Sequence, residues 1–80
     1  MADGVKGTVV IGLNQTKKSL QNDEVWVLYI ADNAEERLVS PIIALAEERQ
    51  IAIEHVPTMK KLGKRLGIDV GAACAAMLKP

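Results

Sequence analysis

The sequence predicts an α/β domain in which helices cover both faces of a small sheet, an α/β/α sandwich. Three observations point there. Short β-branched or apolar runs alternate with segments of helical periodicity. The longest of these runs, Val25-Trp26-Val27-Leu28-Tyr29-Ile30-Ala31, is apolar throughout, as a central strand covered on both sides must be. Turn and breaker residues, Gly12, Asn22-Asp23, Pro57 and Gly67, fall between the runs. Eighty residues make one domain, residues 1–80, with one core near the low end of what folds unstapled.

The elements follow in order. Thr8-Val9-Val10-Ile11 reads as a strand that ends in a turn at Gly12. Asn14 is expected to cap a short helix over residues 15–21, anchored by Leu20. Asn22-Asp23 breaks it, and the central strand follows. Trp26 and Tyr29 are expected in the core, which leaves no aromatic platform for stacking single strands. Asp32-Asn33 is expected to open the next helical segment, where Leu38, Ile42, Leu45 and Ala46 share one face. Ser40-Pro41 interrupts that pattern and predicts a kinked helix or two short ones. Residues 51–56 alternate as a strand and Pro57 stops it. Thr58 is expected to cap a third helix over 59–66, with Gly67 as its left-handed C-terminal cap. The last run, Gly71-Ala72-Ala73-Cys74-Ala75-Ala76-Met77-Leu78, is ambiguous. Alanine propensity favours a helix; small side chains after a glycine also allow a strand squeezed between packed helices.

Composition excludes several classes of function. The single cysteine, Cys74, permits no intrachain disulfide framework and no four-cysteine metal site, and an apolar setting predicts a buried, inert thiol. Few cysteines fit a reducing, cytoplasmic setting. Met1-Ala2-Asp3-Gly4 lacks the basic lead and apolar stretch of a secretory signal, and no apolar run is long enough to cross a bilayer. Gly63-Lys64-Arg65-Leu66-Gly67 lacks the Gly-Lys-Ser/Thr ending of a phosphate loop. His55, the only histidine, has no obvious companion nearby in sequence and reads as a sheet-end residue. Glu35 and Glu36 sit where a helix dipole favours acids. Neither an enzyme nor a cofactor is expected, and no small-molecule substrate.

The net charge is zero, but the charges are segregated. Residues 1–20 carry Lys6, Lys17 and Lys18 against Asp3, a balance of +2. Residues 21–54 carry eight acids against Arg37 and Arg49, a balance of −6. Residues 55–80 carry Lys60, Lys61, Lys64, Arg65 and Lys79 against Asp69, a balance of +4. If the two ends of the chain meet in the fold, one face is basic and can orient a polyanion; ordinary solvated helix faces are the plainer reading.

One segment concentrates recognition chemistry. In Gly12-Leu13-Asn14-Gln15-Thr16-Lys17-Lys18, a glycine turn leads into a helix on which Asn14 and Lys18, four apart, share a face flanked by Gln15. An amide and a long cation can both donate to guanine O6 and N7, and a second amide can accept from a guanine amino group. For the heptapeptide alone, a capped surface helix with two solvated lysines is the better reading.

The segment does not stand alone. Gly12-x-Asn14-Gln15-x-x-Lys18, Ile30-Ala31-Asp32-Asn33-Ala34-Glu35, Lys60-Lys61-Leu62-Gly63-Lys64 and Gly67-Ile68-Asp69-Val70-Gly71-Ala72-Ala73 occur in that order. Together they resemble the kink-turn RNA-binding ribosomal protein family of the L-seven-Ae/L-thirty-e type, most of all its small bacterial members, over about residues 9–78. The resemblance implies a mixed four-stranded sheet in the sandwich, and so makes the alanine-rich run a strand. It implies a structured RNA partner, the kink-turn, in ribosomal RNA or a riboswitch-like RNA: a helix bent at a three-nucleotide bulge followed by tandem sheared G·A pairs. On its terms Asn14 and Lys18 donate to guanine O6, Gln15 accepts from guanine N–H groups, and Gly12 lets the backbone come close. Ile68, Asp69, Val70, Gly71 and Ala72 pack against the bulged nucleotides, and Glu35 and Val39 line the pocket of a flipped-out base. Two positions depart from many archaeal and eukaryotic members: Gln15 replaces a glutamate, which removes charge assistance from the guanine contacts, and Met59 replaces a lysine near the bulged base. A monomer that stays off membranes is expected. The alternative is a protein-interaction module on the same scaffold.

Overall fold

The structure, a computed structural model, describes residues 8–79. The expectations for Met1-Ala2-Asp3-Gly4 and the charges of Asp3 and Lys6 lie outside them. Seven elements follow in chain order: β1 (Val9–Ile11), α1 (Leu13–Gln21), β2 (Val25–Ala31), α2 (Glu36–Glu48), β3 (Ala52–Val56), α3 (Met59–Arg65) and β4 (Cys74–Leu78). The strands form one sheet in the order β1-β4-β2-β3. β2 and β3 are parallel, whereas β4 runs antiparallel to both its neighbours, so the sheet is mixed and four-stranded.

Register assigns the two faces, because successive strand residues point to opposite sides. Cys74 stands opposite Ile30 and Ala76 opposite Leu28; these four share the face under α1 and α2. Ala75 stands opposite Tyr29 and Met77 opposite Val27; this is the face of α3, whose Arg65 guanidinium lies 5.4 Å from the Tyr29 ring centroid. The layers are therefore α1 and α2, the sheet, and α3. Leu20, Leu28, Ile30 and Leu62 are essentially fully buried, each contributing roughly 1.5–3 kcal/mol by leaving water.

The alanine-rich run is a central strand. Cys74, Ala75 and Ala76 are all 0% exposed. With no large side chain on either face, β4 lets the covering layers approach closely, and its backbone groups are paired on both sides by β1 and β2. Tertiary pairing here overrides alanine's helical preference.

Four expectations are corrected. Helix α1 begins at Leu13, two residues before the expected start, and Gly12, not Asn14, occupies the capping position. Gly12 adopts φ +104°, ψ 163°, a region essentially closed to residues with a Cβ, and no side chain caps the helix. Asp32 and Asn33 form a turn, and α2 starts only at Glu36. That helix runs unbroken through Pro41, which has no N–H to offer the Arg37 carbonyl; burial of Val39, Ile42 and Ala46 holds the segment helical despite the missing bond. Trp26 is 55% exposed rather than core, and Tyr29 is only half-buried. The cause is a register shift against β4 between Val25 and Val27, which takes Trp26 out of the regular alternation.

Helix α3 starts at Met59 as expected and ends at Arg65, one residue before the expected end. The Thr58 hydroxyl accepts from the Lys61 N–H at 3.0 Å. At the other end the Gly67 N–H donates to the Lys64 carbonyl and the Ile68 N–H to the Gly63 carbonyl, each at 3.0 Å, the paired bonds of a Schellman motif.

Candidate nucleic-acid interface

Three strands, β1, β2 and β3, end along the edge of the sheet where β4 begins. A series of hydrogen bonds joins the segments that leave this edge. The Gly12 N–H donates to the Cys74 carbonyl at 3.0 Å, and the Ala31 N–H to the Ala73 carbonyl at 3.0 Å. The Asp32 N–H donates to the Val56 carbonyl at 2.8 Å, linking the β2–α2 turn to the end of β3. The Asn33 Oδ1 accepts from the Met59 N–H at 2.8 Å, so that turn also caps the first residue of α3. Finally the Ala72 N–H donates to the Met59 carbonyl at 3.0 Å. Residues 12–18, 32–35 and 68–73, far apart in sequence, are thus neighbours on one edge.

Helix α1 presents the first part. Its inner side buries Thr16, Ser19 and Leu20, which fixes the helix by packing. Asn14, Gln15 and Lys18 are on the opposite side and exposed, at the spacing that makes them neighbours. Among the described residues no side-chain hydrogen bond or ion pair engages any of the three.

The loop over residues 68–72 presents the second part. It runs back along α3, and Gly63 is the reason it can. A Cβ on Gly63 would stand 1.9 Å from the Val70 carbonyl oxygen, so only glycine admits the loop backbone at this distance. A Cβ on Gly71 would meet the Met59 backbone carbonyl at 3.3 Å. Held in this way, the loop turns Val70 outward, 69% exposed, while Ala72 is buried and Ile68 half-buried. Asp69 and Gly71 are exposed.

The third part is less open. Glu35 is exposed and pairs with Arg37 at 2.7 Å, an ion pair between two solvated side chains and so of small energy. Val39 is only 5% exposed and belongs to the core. The site therefore gathers Gly12, Asn14, Gln15, Lys18 and the loop on its surface, with Glu35 beside them and Val39 beneath.

Three features escaped the sequence reading. Asn33 ties two parts of the edge together. Gly63 sets the loop's distance from α3. His55, without a companion nearby in sequence, has one in space: its Nδ1 lies 2.8 Å from the Asp32 carboxylate. Parallel pairing of β2 with β3 places His55 opposite Ile30, two residues before Asp32. Asn33 and Gly63 carried a signal, as parts of the Ile30–Glu35 and Lys60–Lys64 stretches of the resemblance; His55 did not.

Cys74 is wholly buried beneath α1. Burial pushes its thiol above the ordinary value, and the neighbouring Thr16 hydroxyl pulls weakly the other way. That hydroxyl lies close enough to polarise the thiol yet meets no partner in hydrogen-bond geometry. Among the described residues no group of three histidine, cysteine or acidic side chains converges as a metal site, and no helix is long and apolar enough to cross a membrane.

Residues 3–80 match the family described as Ribosomal protein L7Ae/L30e/S12e/Gadd45. The chain belongs to this family. Its curated relatives include "RNA-binding protein BH0128" of Halalkalibacterium halodurans, 51% identical over 71 residues that cover 89% of this chain and 87% of the relative. "RNA-binding protein TTE2299" of Caldanaerobacter subterraneus subsp. tengcongensis is 46% identical over 76 residues, 95% of this chain and 93% of the relative. "RNA-binding protein YbxF" of Geobacillus stearothermophilus is 37% identical over 73 residues, covering 91% and 89%. Among solved structures, the Giardia lamblia 15.5kD RNA binding protein superposes with a TM-score of 0.83 at 18% identity, over 90% of this chain and 61% of that one. At that identity the likeness speaks for the fold, and it agrees with the α/β/α layering of this L7Ae/L30e/S12e/Gadd45 family member.

Proposed function

We propose that this protein binds RNA through the edge where α1 begins, and that its target is a kink-turn whose bent form it stabilises. The observation that carries the reading is the hydrogen-bonded convergence of residues 12–18 and 68–72, with Asn14, Gln15 and Lys18 exposed beside them and unengaged among the described residues. The names of the relatives, all RNA-binding proteins, support the coarser half of the proposal.

The chemistry follows from the geometry. In an ordinary A-form helix the major groove is too deep and narrow for side chains to reach base edges. A sheared G·A pair leaves the guanine's Watson–Crick edge free, and the kink opens access to it. Asn14 and Lys18 donate to guanine O6, and the Gln15 carbonyl oxygen accepts from guanine N–H groups. The packed helix supplies these groups pre-positioned, so little order is gained at binding. The open backbone at Gly12 admits a sugar–phosphate strand, and Val70 covers bulged bases. Glu35 with Val39 below it borders the flipped-out base, where a bound base displaces Arg37 from the carboxylate. Binding selects a bent conformation the RNA already samples. The protein acts as a cytoplasmic monomer, ribosomal or ribosome-associated, without a cofactor.

Titration against a kink-turn duplex tests the proposal. Binding is expected, with a large loss of affinity when both G·A pairs become Watson–Crick pairs. Equal affinity for the two duplexes would defeat the kink-turn reading. A protein-interaction module is the second reading, favoured by the zero net charge and by exposed Trp26, Val9 and Ile11. A stable protein partner recovered from nuclease-treated lysate, with no bound RNA, would favour it.

A further inference from the structure

Helix α3 carries four cations, and the structure sorts them. Arg65 is engaged on the sheet side, 2.5 Å from Glu54 and above the Tyr29 ring. Lys61, whose backbone N–H donates to the Thr58 hydroxyl, is not among the residues that line the groove beside the loop. Lys60 and Lys64, four residues and so ~6 Å of helical rise apart, line one side of an open groove of about 310 Å³. The opposite wall is Ile68, Asp69, Val70 and Gly71, the loop already placed in the candidate interface. Both lysines are exposed, and among the described residues neither lies within ion-pair distance of a carboxylate. Asp69 on the far wall is the one acid of the groove.

The sequence left open whether the basic segments meet on one face, with ordinary solvated helix faces as the plainer reading. The ends of the chain do meet, because β1 pairs with β4. But α1 and α3 lie on opposite layers, so Lys17 and Lys18 are separated from Lys60 and Lys64 by the sheet. Guanine recognition by α1 accounts for Lys18 and leaves the α3 pair unused. Two ammonium groups without an ion pair among the described residues, beside the loop that exposes Val70, match a sugar–phosphate backbone that has just passed over that loop.

We infer that the groove between α3 and the 68–71 loop is a second contact for the same RNA, in which Lys60 and Lys64 hold backbone phosphates of a stem flanking the kink. The inference rests on the proposed RNA-binding role. These contacts carry no sequence information; they fix the direction in which one stem leaves the protein, and they add affinity through release of condensed counterions. Asp69 repels phosphate from the loop side and so keeps the strand against α3.

Salt dependence of binding reads this directly. For wild-type protein and the kink-turn duplex, log affinity is plotted against log salt concentration, and the slope counts phosphate contacts. Lys60→Ala and Lys64→Ala are each expected to make the slope shallower by about 0.7–0.9, with the preference for G·A pairs retained. Lys79→Ala, which removes the same charge beyond the far end of β4, is the control for net charge and should leave the slope within error. Shortening each flanking stem in turn should identify one stem whose loss abolishes the effect of the two lysine variants. The inference is overturned if both α3 variants keep the wild-type slope, if Lys79→Ala changes it as much, or if neither shortened stem matters. Any of these leaves the kink-turn proposal standing provided wild-type protein still discriminates the G·A pairs; absence of that discrimination removes both.

Discussion

Asn14 and Lys18 are exposed, make no side-chain hydrogen bond or ion pair among the described residues, and sit on a helix held by packing on its other side. Replacing either by alanine should therefore leave folding nearly unchanged. Against a kink-turn RNA each replacement is expected to cost roughly 1–3 kcal/mol of affinity, read by titration at fixed salt. Cys74 gives the opposite kind of prediction, one about stability alone. Its thiol is buried, which holds its protonation constant above that of the unfolded chain. The folded state therefore keeps the proton longer, and the contribution is complete below the ordinary thiol value of about 8.5. As pH rises past that value, the unfolded state gains by ionising and stability falls. Urea midpoints at pH 7 and pH 10 should drop further for wild type than for Cys74→Ala. Much at this scale was legible in the sequence: the exposed Asn14, Gln15 and Lys18 and the buried thiol follow from residue type and spacing. The Asp32–His55 pair was not, because parallel strand pairing makes it.

Among the elements, the long apolar run, the Thr58 cap and the Gly67 terminus were readable because each is encoded by local chemistry. Two elements were not. β4 has almost no pattern to read, since a strand of alanines buried on both faces shows no alternation, and its identity depends on partners 44 to 68 residues away in sequence, from Ile30↔Cys74 to Val9↔Met77. The start of α1 was misplaced because Asn14 is a good capping residue by type, while the turn is made by the torsions of Gly12. Trp26 was misassigned because a bulge is a property of two paired strands. Joining α3 to the 68–72 loop depends on Gly63. Gly63→Ala forces a methyl group into the Val70 carbonyl, and the loop backbone must retreat. A loss of roughly 1–3 kcal/mol in denaturant unfolding is expected. RNA affinity measured well below the melting temperature should fall as well, because the loop no longer presents Val70 at the same height.

For the whole molecule, the sheet brings to one edge what the chain keeps apart. The topology achieves this because β1, β2 and β3 all end where β4 begins, so every connection on that side is available to a ligand. The opposite edge holds different features: the Asp23–Arg49 pair at 2.6 Å, the 22–24 turn and the end of β4. A compact domain of this size can change its amide environments anywhere, so the map of changes on binding is informative. The most direct test is amide chemical-shift mapping of the labelled protein with and without a kink-turn duplex. The account predicts large shifts confined to residues 12–18, 32–39 and 58–73, with residues 22–24, 47–51 and 78–79 nearly still. Shifts centred on the 22–24 turn and the Asp23–Arg49 edge, with residues 12–18 unmoved, would contradict it.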